Sequence, residues 1–151
     1  RLATRASASR SARNLSKPFT LHGHWQAAEL DQEIERARTK YPGDSWVEEY
    51  YNCLDALTVS GMMITLPHFL RYSLTHLDSD VTDNAMSELA RLSSQSDKGR
   101  EFRRILNLRQ IGAIKAYLDF VMKHYPMTRT MRPIFHEAVD VWTKSESENS
   151  E

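Results

Sequence analysis

The chain has 151 residues, with 20 Lys plus Arg balancing 20 Asp plus Glu, five Gly, five Pro and 40% hydrophobic residues. That length suits one domain, and the lone Cys53 excludes an intrachain disulfide or a Cys-rich zinc site. Apolar runs such as Met62-Met63-Ile64 fall far short of the roughly 20 residues a membrane-spanning helix needs, while scarce Gly and Pro argue against a loop-rich β-barrel or a glycine-rich nucleotide fold.

The chain opens with an arm, residues 1–23, rich in Arg, Ser and Ala. Arg1, Arg5, Arg10, Arg13 and Lys17 carry its charge, and no acid accompanies them. Such a segment buries too little apolar surface to offset its ordering entropy, so alone it is expected to be disordered. Its composition is that of an organellar transit peptide or the remnant of one, and the first residue is Arg rather than Met. An organelle interior and a bacterial cytoplasm are both compatible with it.

A helical domain is expected over residues 24–143. The first helix is expected from Trp25 to Lys40, with Leu30, Ile34, Ala37 and Tyr41 at helical spacing, ended by Pro42-Gly43. Ser45-Trp-Val-Glu48 has the form of a capping box opening a second helix, whose stripe runs through Trp46, Tyr50, Leu54 and Leu57. Cys53 lies beside that stripe as a buried, unreactive thiol. Gly61 interrupts the pattern, and Thr65-Leu66-Pro67 looks like a third start, with Leu66, Leu70, Leu74 and Leu77 as its buried face. Asp80 or Thr82 would cap a fourth helix bearing Met86 and Leu89. Residues 93–99 read as a loop, followed by a short helix at about Glu101 to Leu106. Asn107 and Gln110 form a second capping-box pattern, leading a helix through Ile111, Ile114 and Leu118 that Pro126 stops. A last helix near Pro133 to Thr143 holds Trp142, and residues 144–151 form an acidic polar tail. The expectation is an all-α bundle of five to seven helices. Its core is assigned to Trp25, Ile34, Trp46, Tyr50, Leu54, Leu57, Leu66, Leu70, Leu74, Ile111, Ile114, Leu118 and Trp142.

Catalytic and metal signatures do not assemble. The Gly residues stand alone at 23, 43, 61, 99 and 112, so no phosphate-cradling loop or nucleophile elbow is present. Asp78-Ser-Asp80-Val-Thr-Asp83 begins like a calcium loop but lacks the turning Gly and the bidentate Glu. His22 and His24 lack further ligands, and His136-Glu137 lacks the second His of a zinc protease. His68, Tyr72 and His76 share one helical stripe, with burial favoured over a contact surface. No catalytic, cofactor or metal residue is therefore assigned, and no cofactor is expected.

The balanced charge is sharply segregated. Residues 29–97 hold 5 basic and 13 acidic residues, whereas residues 98–132 hold 9 basic and 2 acidic ones. Mutual neutralisation of these two segments is preferred over a nucleic-acid surface, because Phe102, Tyr117 and Phe120 fall at core spacing rather than forming a stacking platform.

Two blocks carry a resemblance. Leu66-Pro-His-Phe-Leu-Arg-Tyr-Ser-Leu74, within residues 57–74, resembles the leucine-proline-x-phenylalanine-leucine block of a small bacterial family of unknown function. Phe102-Arg-Arg-Ile-Leu106 followed by Gln110-Ile-Gly-Ala-Ile-Lys-Ala-Tyr-Leu118 is similar to that family's second block. The resemblance spans about residues 57–122, implies a compact helical fold and transfers no site.

Together these features point to a non-catalytic interaction module or accessory subunit of a larger assembly. It would dock through Arg1, Arg5, Arg10, Arg13 and Lys17 on an acidic protein, lipid or nucleic-acid surface. A bacterial immunity-type partner-binding protein is the alternative, followed by an enzyme whose site is dispersed in sequence.

Overall fold

A computed structural model of the chain describes residues 19–21, 27–126 and 128–149. Among these residues it is all-α, with seven α-helices: α1 (Ala27–Ala37), α2 (Asp44–Tyr50), α3 (Val59–Ser73), α4 (Asp80–Leu92), α5 (Asp97–Ile105), α6 (Leu108–His124) and α7 (Met131–Asn149). A 3-10 segment, Tyr51–Ala56, links α2 to α3. No helix among the described residues is long and apolar enough to cross a membrane.

Most helix ends follow local chemistry, and the departures from the sequence reading have physical causes. Helix α1 stops at Ala37 rather than Lys40, where the Arg38 guanidinium turns back to donate two 3.0 Å bonds to Glu35. Gly43, at φ 109°, starts α2 through a backbone conformation that side-chain-bearing residues rarely adopt. Ser45 thereby falls inside the first turn, and the expected Ser45/Glu48 capping box does not form. Glu48 instead accepts a 2.8 Å bond from the Tyr72 hydroxyl.

Helix α3 begins well before the expected start at Thr65. Thr58 caps it, its Oγ1 accepting from the Gly61 N–H at 3.2 Å. The helix then runs on through Pro67, whose ring lies exposed. Proline removes the N–H that would bond to the Met63 carbonyl, and its placement on the solvent side lets the helix continue. Gly61 is required by close approach: a Cβ there would collide with the carbonyl oxygen of Phe19. Residues 19–21 run antiparallel to residues 56–58, just ahead of α3, with Leu21 N–H donating to Ala56 at 2.7 Å and Thr58 N–H to Phe19 at 2.8 Å. Asp31 pins the same segment, accepting from Phe19 N–H at 2.9 Å and Thr20 Oγ1 at 3.0 Å.

This longer helix rotates the buried face away from the expected leucine row. Met62, Thr65, Leu66, Phe69 and Tyr72 are buried, Leu70 and Leu77 are half-buried, and Leu74 is 42% exposed. Leu74 is not a core residue.

Ser79, rather than Asp80 or Thr82, caps α4, and Ser96 caps α5, which shortens the expected 93–99 loop. The Asn107/Gln110 capping box forms as read, with both reciprocal bonds at 2.9 Å. Helix α7 continues past Thr143 into the acidic stretch, since residues 144–149 contain neither Gly nor Pro to break it.

Ile34, Leu54, Leu57, Leu66, Ile111, Ile114, Leu118 and Trp142 are buried as expected. Trp46, Tyr50 and Leu70 pack half-buried against them, and Trp25 lies outside the described residues. Trp142 meets Phe102 edge-on, with ring centroids 6.3 Å apart and planes at 89°.

Candidate functional site: an apolar trough between α3 and α6

Helix α6 packs chiefly on α7, and α3 on α4. Where α3 and α6 face one another across the end of α5, their side chains leave an open trough of about 390 Å³. Leu106 is extended (φ −73°, ψ 140°), so α5 ends abruptly and the Asn107/Gln110 box starts α6 in a new direction. Phe102 and Leu106 thus become the floor at this corner. Met63, Leu66, Leu70 and Leu74 form the α3 wall, and Ala113, Ile114 and Tyr117 form the α6 wall. The partly exposed leucine row of α3 is therefore one side of this trough.

The polar side chains on the trough already have partners. Gln110 Oε1 accepts from the Asn107 N–H in the capping box. The Tyr117 hydroxyl bonds Ser73 Oγ at 2.7 Å, tying the two walls together. Burial pushes this phenol up to about 12, against a smaller opposing effect of Ser73, so it stays protonated at neutral pH. The Arg71 guanidinium lies over the Tyr41 ring, 4.5 Å from its centroid, and supplies positive charge at the rim. No Asp, Glu, His or Cys lines the trough among the described residues. Its chemistry is that of apolar contact beside a cation, without an acid–base pair or nucleophile.

The reactive groups elsewhere are tied into structure. Cys53 is buried, and desolvation pushes its thiol up to about 12. His68 Nε2 lies 2.8 Å from the Ala37 carbonyl oxygen. His76 stacks on Tyr72 with centroids 3.9 Å apart and planes 7° from parallel. Tyr72 is buried while both His are half-buried, so the stripe packs against α1 and α2 on one side only. Asp83 accepts from the Tyr125 hydroxyl, and Ser79 caps α4, so the Asp78–Asp83 stretch is used for helix capping and inter-helix bonding. Among the described residues no group of three or more His, Cys, Asp or Glu is placed to hold a metal. His22 and His24 lie outside the described residues.

The charged segments meet only in part. Glu88, buried, accepts an ion pair from Lys98 at 3.6 Å and another from Arg91 at 3.5 Å. Burial raises its carboxyl above the usual range, with the two cations opposing the shift. Arg100 pairs with Asp97 at 2.7 Å. Arg103 runs inward, donating to the carbonyls of Leu92 and Ser94. Arg109 and Lys123 stand exposed on α6 and make no salt bridge among the described residues. The ion pair that joins the basic segment to the buried acid Glu88 is thus made by its first residue, Lys98. Arg1, Arg5, Arg10, Arg13 and Lys17 lie outside the described residues.

Over residues 18–146 the chain matches a family of unknown function, DUF6714. It belongs to that family. The match extends well beyond the two blocks of the sequence resemblance, at 57–74 and 102–118. All of the residues that line the trough fall within one or other of those blocks. No curated protein matches the chain, and no solved structure does.

Sequence reading missed the trough because its walls carry the same residues as a core. The available signal was an excess: α3 has apolar residues around more than one face, more than one packing partner covers.

Proposed function

We propose that this member of the DUF6714 family is a non-catalytic binding module, an accessory subunit that joins a larger protein assembly through two contacts. One is the apolar trough between α3 and α6. The other is the basic arm bearing Arg1, Arg5, Arg10, Arg13 and Lys17. The observation that carries this reading is the trough itself: an open apolar surface whose polar side chains are already bonded or stacked. Such a surface gains free energy by being covered and has no group left to transfer a proton or attack a bond.

The arm adds long-range attraction and salt sensitivity. It starts from a fixed point, because Phe19 and Thr20 are buried and bonded to α1 and to the start of α3. A truncation that tests it must therefore end at Lys17 and spare residues 18–21.

Native sizing in the protein's own cells tests the reading. A tagged chain is expected in a particle much larger than itself, with association weakened by raised salt or by removal of residues 1–17. Replacing Arg5, Arg10 and Arg13 by Glu should weaken it further than removal, since repulsion replaces absence. A chain that runs as a monomer at low salt, with or without the arm, would overturn the proposal.

A further inference from the structure

We infer that the trough takes one amphipathic α-helix of a partner protein, with Asp and Glu side chains flanking its apolar stripe. This rests on the binding-module reading and names the occupant.

Length, breadth and charge select it. Met62 and Leu74 stand near opposite ends of the α3 wall, about 18 Å apart along a helix axis, which matches about three turns of a bound helix. Apolar surface also continues past the trough. Leu74 is exposed on its rim, and the exposed Phe120 follows Tyr117 about one turn on. A helix laid across the opening covers such a broad strip, whereas an aliphatic tail fits an enclosed channel.

Charge sets the flanks. On α3 the outer edge runs Ser60, Met63, Pro67, Arg71, Leu74, and the whole helix contains no acid. On α6 the edge beside the trough runs Arg109, Ala113, Phe120, with a cation at its start. Asp119 and Lys123 both turn away from that edge and line a separate cleft with Arg132 and His136 of α7. A helix seated between these edges would place its flanking side chains against Arg71 on one side and Arg109 on the other. Carboxylates there would speed encounter and fix orientation, and lysines would be repelled, while the apolar stripe supplies most of the affinity.

Titration calorimetry with synthetic peptides tests this on the full chain. The probes are a helical peptide of about 18 residues with Leu at the i, i+3, i+4, i+7 positions and Glu on both flanks, and its twin with Lys for Glu. Dodecanoate serves as the aliphatic alternative. One Glu peptide per chain is expected to bind, at least about tenfold more tightly than the Lys twin, with the gap narrowing at high salt. The double variant R71E/R109E changes exposed edge residues, and circular dichroism checks its fold. It should reverse the preference toward the Lys peptide. Leu70→Ser should weaken either peptide about tenfold or more without changing the preference.

Equal binding of the two peptides, binding unaffected by Leu70→Ser, or failure of both peptides overturns the inference. Dodecanoate binding that Leu70→Ser abolishes, with both peptides silent, also overturns the helical occupant while leaving the trough a binding site. Failure of the module reading itself shows separately, as a monomer in native sizing.

Discussion

Helix α6 sits between two apolar surfaces that have met different ends. The α6–α7 pair is the most extensive helix contact of the fold, and Phe135, Ala138 and Trp142 of α7 are buried at spacings of three and four. Toward α3, the same helix offers Ala113, Ile114 and Tyr117 to an open trough. Both surfaces are written in the same alphabet of aliphatic and aromatic residues. What separates them is volume: a tryptophan completes one, and the other has only floor and walls. An apolar stripe thus reports that something must cover it, and the covering group belongs to the same chain in one case only.

That contrast can be broken by mutation. Trp142→Ala in the filled region should destabilise the protein by about 3–5 kcal/mol in urea denaturation, through lost burial plus a cavity. A change below about 1 kcal/mol would mean that α7 is dispensable to the core.

Cys53 gives a second test of closure. Its labelling by a small thiol reagent near neutral pH should be at least about a hundredfold slower in the native than in the urea-unfolded chain. The folded thiol keeps its proton to about 12, whereas an unfolded thiol loses it near 8.5. Its contribution to stability is therefore complete below about pH 8.5 and declines as pH rises from there toward about 12. Denaturation midpoints of Cys53→Ala measured across that window should fall less steeply than those of the parent. Equal slopes would show that the thiol does not titrate differently on folding.

Gly61→Ala should cost about 1–3 kcal/mol, because the new methyl displaces the Phe19 carbonyl from the start of α3. Limited proteolysis should then cut at residues 19–21 faster than in the parent. Asn107→Ala should cost about 1 kcal/mol by removing the capping box at the corner of the trough. The smallest effect belongs to the open surface. Leu74→Ser should shift stability by no more than about 0.5 kcal/mol in the same urea assay. A loss as large as that of Trp142→Ala would show the trough to be closed core.

Several features were legible in the chain alone. Helical spacing, the scarcity of Gly and Pro and the Asn107/Gln110 box foretold an all-α domain, and eight of the assigned core positions are buried. The two blocks that carried the family resemblance contain every residue that lines the trough. These signals survive because they act within a few residues, where hydrogen bonding and side-chain spacing are decided by neighbours in sequence.

Tertiary structure decided the rest. Pro67 looks like a helix start, yet α3 begins at Val59, where Thr58 caps it and residues 19–21 lie against Gly61. Ser45 and Glu48 have capping-box spacing, but Gly43 takes the cap position two residues earlier and Tyr72 claims the carboxylate. Leu74 continues the row of Leu66 and Leu70 and still faces water, because no element of the described chain reaches across the trough to cover it. Periodicity specifies which face of a helix is apolar. Whether that face is filled depends on groups distant in sequence arriving there with enough volume, and no local pattern encodes that.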